Sequence, residues 1–129
     1  MTQQLQGQPV DDHSIDGEVL LRRILNPDWI HTEADGSHRP QSVAMIDRHT
    51  DEVSVYIASL APIAKVLGNR TQDCIIAFPA KAIRELGGNY MMFRDPADPS
   101  HVLITPSVSR PHSKKLFKRC EWKHPPGYK

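Results

Sequence analysis

Aromatic residues are scarce in this chain of 129: two Trp, three Tyr and three Phe, 6% of the total. That scarcity argues against a broad platform for stacking bases. Cysteine is scarcer still. Cys74 and Cys120 are the only two, too few for a disulfide framework or a four-thiolate zinc site. Cys74 opens an apolar run and reads as a small core residue. No stretch approaches the roughly 18 consecutive apolar residues of a membrane-spanning helix. The first fourteen residues, MTQQLQGQPVDDHS, have neither a basic n-region nor an apolar h-region. They predict no secretory signal and a cytoplasmic location.

Complete chemical motifs are missing too. The seven histidines stand at 13, 31, 38, 49, 101, 112 and 124. None falls into HxxxH or HExxH, and no CxxC is present, so no metal and no cofactor is expected. There is no GxSxG around a serine. The glycines of "ELGGNY" stop a helix and form neither a P-loop nor a dinucleotide fingerprint.

What is present is an uneven charge. The formal net charge is only +1, yet residues 1–20 hold Asp11, Asp12, Asp16 and Glu18 and no Lys or Arg. Residues 110–129 hold seven Lys and Arg against Glu121 alone. An acidic arm and a basic end are the strongest electrostatic signal in the chain. Six of the eleven prolines crowd the C-terminal third, from Pro96 to Pro126, and make it loop-rich.

The length allows one domain with one modest core. Residues 1–14 are Gln-rich and aperiodic and are expected to be a disordered arm. Residues 15–122 form the domain, and 123–129 a flexible Pro-rich tail. EVLLRRIL at 18–25 is helical or extended. Residues 31–40 are a turn-rich segment with Asp35-Gly36 at its tip. SVAMID (42–47) and EVSVYIAS (52–59) both alternate and predict a hairpin of two strands. Val53, Val55 and Ile57 share one face of the second. Residues 61–69 are a short helix with Ser59 as cap, Pro62 in the first turn and Gly68 at the end. A buried strand at 74–78 runs through Pro79 into a helix ending at Gly87-Gly88, with Ala82, Ile83 and Leu86 as its apolar stripe. Strands follow at 90–93 and 101–105, joined by a rigid DPADPS turn. Ser113 is expected to cap a last, basic amphipathic helix, KKLFKRCEW, with Leu116, Phe117 and Cys120 inward. The fold class is α+β: a small domain with a mostly antiparallel sheet and two or three short helices besides the basic one.

Three segments resemble a family of small uncharacterised bacterial proteins: "WIHTEADGSHRPQSVAMIDRHTDEVSVYIASL", "FPAKAIRELG" and "RDPADPSHVLI". Together they span about residues 20–122. The resemblance implies a domain of this size and brings no activity with it. What the resemblance implies is an accessory protein of a defence or toxin-type locus. The "LLRRI" segment with Arg22 and Arg23 is also similar to the opening of ADP-ribosyltransferase-like toxins, where a basic residue on the first strand holds the dinucleotide. The late strands YMMF and HVLIT lack the glutamate of that pattern.

Three histidines are the candidates for acid–base chemistry. His101 starts a strand and either handles a proton or hydrogen-bonds the 95–100 turn. His38 and Arg39 flank a turn, where an arginine can clamp a phosphate or carboxylate. His112 stands with Ser113 at the mouth of the basic helix, a place where anions bind. Lys114, Lys115, Lys118 and Arg119 add positive charge there. Three functions follow as expectations. The first is an interaction protein with a protein partner, the acidic arm masking the basic helix or engaging a second copy. The second is RNA or DNA binding through that helix. The third is a metal-independent enzyme acting on a phosphodiester or nucleotide, if His38, His101 and His112 converge. No membrane partner is expected.

Overall fold

The computed structural model describes residues 11–24, 29–45, 51–69 and 73–124. Eight strands are found there: β1 (Val19–Ile24), β2 (Ile30–Thr32), β3 (His38–Pro40), β4 (Val53–Ile57), β5 (Cys74–Pro79), β6 (Met91–Asp95), β7 (Asp98–Thr105) and β8 (Glu121–His124). The helices are α1 (Ile63–Leu67), α2 (Ala80–Arg84) and α3 (Arg110–Phe117), with short 3-10 turns at His13–Ile15 and Ser42–Met45. Six strands make one antiparallel sheet in the order β6-β7-β4-β1-β5-β8, and β2 and β3 pair separately. The fold is α+β, as the pattern of elements predicts.

The strand periods explain how the sheet is covered. In β4 the alternation is strict: Val53, Val55 and Ile57 are buried, Ser54 and Tyr56 half-buried. The buried set joins Leu20, Phe78 and Ile104 on one face, under α2 and α3. Leu21, Ile75 and Ala77 lie on the other face and are covered by Val66 and Leu67 of α1. β5 has strands on both sides and apolar cover on both faces. It therefore reads as an unbroken apolar run rather than an alternating one. Asp35-Gly36 forms the tip of the β2–β3 hairpin, with Gly36 at φ 90°. Gly87, at φ 87°, lets the chain leave α2 toward β6.

Several expectations are corrected. Residues 42–45 are a 3-10 turn and not a strand, while 46–50 lie outside the described residues. The hairpin does not form because both edges of β4 are taken by β1 and β7. The carbonyls of the turn find other donors, Arg22 for Ala44 and the Val108 N–H for Met45. Ser59 does not cap α1. Its hydroxyl donates to Glu18, and Pro62 holds the N-cap position. DPADPS turns only at Pro96 and Ala97, and β7 resumes at Asp98.

The last helix starts earlier than its sequence suggests. Ser109 is the cap and accepts the His112 N–H, and Pro111 fits the first turn. Ser113 is therefore inside α3, fully buried, and donates to the Val108 carbonyl. The helix stops at Phe117 because the following segment is recruited to the sheet, with Trp122 opposite Ile76. Leu116, Phe117 and Cys120 do face the core.

The acidic segment is folded where it is described. Residues 1–10 of the expected arm lie outside the described residues. Asp11 and Asp16 both pair with Arg84 on α2, and Asp12 pairs with Arg94 on β6. The Asp12 N–H donates to the Met92 carbonyl, so this segment lies along the outer edge of β6. Of the expected tail, residues 123 and 124 belong to β8, and 125–129 lie outside the described residues.

Candidate functional site

The three candidate histidines do not converge. His38 sits on β3, bonded to Thr32, and its carbonyl accepts the Trp122 indole N–H of β8. His112 lies on α3, where its Nδ1 is 2.7 Å from the Tyr90 hydroxyl. His101 is on β7, four strand spacings from β8 in the sheet order. At about 4.8 Å per spacing that is roughly 19 Å. Arg39 follows His38 on β3, away from His101 and α3. It donates to Glu33 across the hairpin, 3.2 Å away.

His101 nevertheless has partners that turn it into a relay. Its Nε2 is 2.5 Å from the Ser54 hydroxyl, and its Nδ1 is 3.1 Å from Asp95 Oδ2. Register explains the first contact. Tyr56 stands opposite His101 and Ser54 opposite Leu103, so all four side chains share one face of the β4–β7 pair. The second contact comes from the hairpin that joins β6 to β7. Asp95 Oδ1 accepts the Ala97 N–H at 2.8 Å, which leaves Oδ2 for the imidazole. The bond to His101, then the Ala97 N–H, holds the Asp95 carboxyl below the usual carboxylate range.

These bonds decide the tautomer. An ionised carboxylate only accepts, so Nδ1 carries the proton and donates to Asp95. Nε2 of the neutral ring is then the acceptor for the Ser54 O–H. The Tyr56 ring lies against the imidazole, 5.1 Å between centroids, and the Arg22 guanidinium donates to the Ser54 carbonyl at 2.9 Å. The relay is partly shielded: the His101 side chain is 19% exposed and that of Asp95 33%. Sequence reading offered the 95–100 turn as the simple partner of His101, and Asp95 is indeed its partner. Ser54 was missed, because 47 residues separate it from His101 and nothing local marks it.

The basic end is the second feature. Arg110, Lys114, Lys115, Lys118 and Lys123 are exposed and have no ion-pair or hydrogen-bond partner among the described residues. Arg119 differs, because it pairs with Glu85 at the end of α2. Arg110, Lys114 and Lys118 recur every four positions and so share one outward stripe, about 6 Å apart along the axis. Buried Ser113 takes no part in this surface. The described acids of the N-terminal segment do not mask it, since they pair with Arg84 and Arg94.

Tyr90 fixes the start of this helix. Its hydroxyl meets His112 Nδ1 and accepts the Ser109 N–H at 3.2 Å. Tyr90→Phe is expected to cost about 1 kcal/mol. Amide hydrogen exchange at residues 109–113 should speed up in that variant and stay unchanged in β5.

Other chemistries have less to work with. Among the described residues no group of three or more His, Cys, Asp or Glu is placed to hold a metal ion. Cys74 and Cys120 are unpaired thiols, and burial pushes both up, Cys120 to about 11. Neither is a thiolate near neutral pH. Arg22 is 8% exposed and bonded to two backbone carbonyls, so it does not present its guanidinium to a dinucleotide. No helix among the described residues is long and apolar enough to cross a membrane. No family model, curated protein or solved structure matches the chain.

Proposed function

We propose that this chain is a nucleic-acid-binding module whose contact surface is the outward stripe of α3, with exposed Lys115 and Lys123 as further cations. The observation that carries the reading is the set of α3 cations left without partners among the described residues. Arg84, Arg94, Arg39, Lys65 and Arg119 are each neutralised by a carboxylate. Those of α3, like Lys81 of α2, have no such partner among the described residues. Like charges at i and i+4 cost a helix about 0.2–0.5 kcal/mol per pair. Phosphates along the stripe would relieve that repulsion and release counterions.

A protein partner would meet the same charges, but protein interfaces are anchored by apolar and aromatic side chains. Among the described residues the exposed large hydrophobics are Val19 and Leu60, neither of them on α3. A surface that follows phosphates needs no such anchor.

The test is fluorescence anisotropy with labelled single-stranded RNA and duplex DNA of 20 nucleotides. With four phosphate contacts, duplex affinity should fall about a hundredfold between 50 and 200 mM salt. The double variant Lys114→Glu/Lys118→Glu should bind more weakly, with a salt slope lower by about 2. Absence of salt-sensitive binding, or equal binding by the variant, would refute the reading. Capture of an acidic protein instead would move the function to a protein partner.

A further inference from the structure

We propose that Ser54 is a nucleophile, activated by His101 and oriented through Asp95, that accepts the acyl group of a small apolar ester. This inference is independent of nucleic-acid binding, since α3 lies on the opposite face of the sheet. Three observations carry it.

The first is directional. Ser54 meets Nε2 and Asp95 meets Nδ1 of the same ring. A base that takes the hydroxyl proton through one nitrogen needs its other nitrogen held as a donor, and that is the arrangement here. A serine and a histidine that merely satisfied each other would need no third partner. The Ala97 N–H in turn fixes the rotamer of Asp95.

The second is stiffness. Ser54 and His101 stand on adjacent, paired strands near the middle of the sheet. The Arg22 guanidinium holds the Ser54 carbonyl where β1 has diverged from β4. The reacting groups thus sit on rigid elements, which holds them in geometry before a substrate arrives.

The third is the surrounding surface. Helix α1 covers the β1 and β5 part of this face, its cluster packs against Tyr56, and its Lys65 is held by Asp98 and Ser100 at the start of β7. Phe93 stands opposite Leu103, which stands opposite Ser54, so Phe93, Leu103 and Tyr56 share the face with the serine. All three are half-buried. They form an apolar floor for an acyl chain or aryl group and offer no cation to a phosphate. The substrate class is therefore an uncharged ester.

The chemistry balances with water as the second substrate. Ser54 Oγ attacks the ester carbonyl carbon, and its proton passes to His101 Nε2. The C–O bond to the alcohol breaks, and the alcohol leaves with that proton. Water then attacks the acyl carbon and gives a proton to Nε2. The acyl–serine bond breaks, Ser54 regains the proton, and a carboxylic acid departs. Ser54 and His101 are the catalytic residues, and Asp95 is a positioning residue. Within the sheet the backbone N–H groups point along the ladder and not toward the serine hydroxyl. General-base assistance alone supplies about 10²–10⁴ to both steps, so with a good leaving group such as nitrophenolate acylation should outrun hydrolysis and give a burst.

The experiment is labelling of the full chain with a fluorophosphonate, located by peptide mass spectrometry. Attack forms the Ser54 Oγ–P bond, breaks P–F and releases fluoride while the proton goes to His101. One adduct per chain, on Ser54, is expected. His101→Ala should slow labelling at least a hundredfold. Asp95→Asn should slow it about tenfold or more, with part of the rate restored in Asp95→Glu. A burst of nitrophenol from p-nitrophenyl butyrate should vanish in Ser54→Ala. Thermal melts check that each variant is folded. An unlabelled Ser54 in folded protein, an adduct confined to other serines, or equal labelling in folded His101→Ala would overturn the proposal.

Discussion

Arg22→Met should lower stability by about 3 kcal/mol, the cost of leaving one buried and one half-buried carbonyl without donors. Arg22 Nε donates to the Ala44 carbonyl at 3.1 Å and Nη1 to that of Ser54 at 2.9 Å. Methionine fills most of the same volume, so loss of packing is a minor part of the change. The guanidinium works here as a strut. β1 pairs with β4 only through Leu20 and Leu21, and beyond them Arg22 supplies the donor that a ladder would have supplied. It also ties the 42–45 turn to the sheet. The measurement is urea denaturation, with the midpoint shifted and the slope unchanged. A loss below about 1 kcal/mol would mean that water replaces the guanidinium at both carbonyls. Because the same bond fixes the backbone of Ser54, fluorophosphonate labelling should slow in this variant even where it remains folded.

Acid should loosen the N-terminal segment before the rest of the chain. Burial raises Asp11 and Asp16, but hydrogen bonds, from Met92 and Arg84 to Asp11 and from Arg84 to Asp16, more than reverse this, and both end below the usual range. Asp12 is lowered first by the Ser14 hydroxyl and, against the rise from burial, by the Ser14 N–H and then Arg94. A carboxylate depressed in the folded state stabilises fully above its unfolded value of about 3.9 and loses that contribution as pH falls through the folded one. Thermal stability should therefore decline from about pH 5 downward. Arg84→Met should cost on the order of 2 kcal/mol at neutral pH, discounted because the carboxylates are a quarter to a third exposed. It should also flatten the acid decline. An unchanged pH dependence in the variant would assign the acid sensitivity to other carboxylates.

Arginine at 84 shows how the charge pattern is to be understood. An acidic N-terminal segment and a basic C-terminal helix invite the idea that one masks the other. The described acids take Arg84 and Arg94 instead, because residues 11–16 lie along β6 and reach α2 from there. The charge asymmetry is real in sequence and left unresolved in space, and the cations of α3 remain available to an external anion.

Local chemistry alone determined a good part of the fold. The alternation of Val53, Val55 and Ile57 set the faces of β4, the apolar run from Cys74 marked a strand covered on both sides, and Gly68 and Gly87 ended their helices. Each is a property of neighbours within one turn or one strand, so a window of a few residues contains it. Residues 42–45 show the limit. They alternate like a strand, but a strand needs a free edge, and β1 and β7 had already occupied both edges of β4. The start of α3 was misread for a related reason. Pro111 suits a loop or a first helical turn equally, and the bond from the His112 N–H to Ser109 decides which. The relay lay furthest from view. Ser54, Asp95 and His101 are ordinary residues of two strands and a turn in sequence. Only the register of β4 against β7, with Tyr56 opposite His101, sets the serine diagonal to the imidazole, and only the β6–β7 hairpin brings the carboxylate back to its other nitrogen. Register is a long-range quantity, set by which strands pair and how their buried faces align, and no local pattern encodes it.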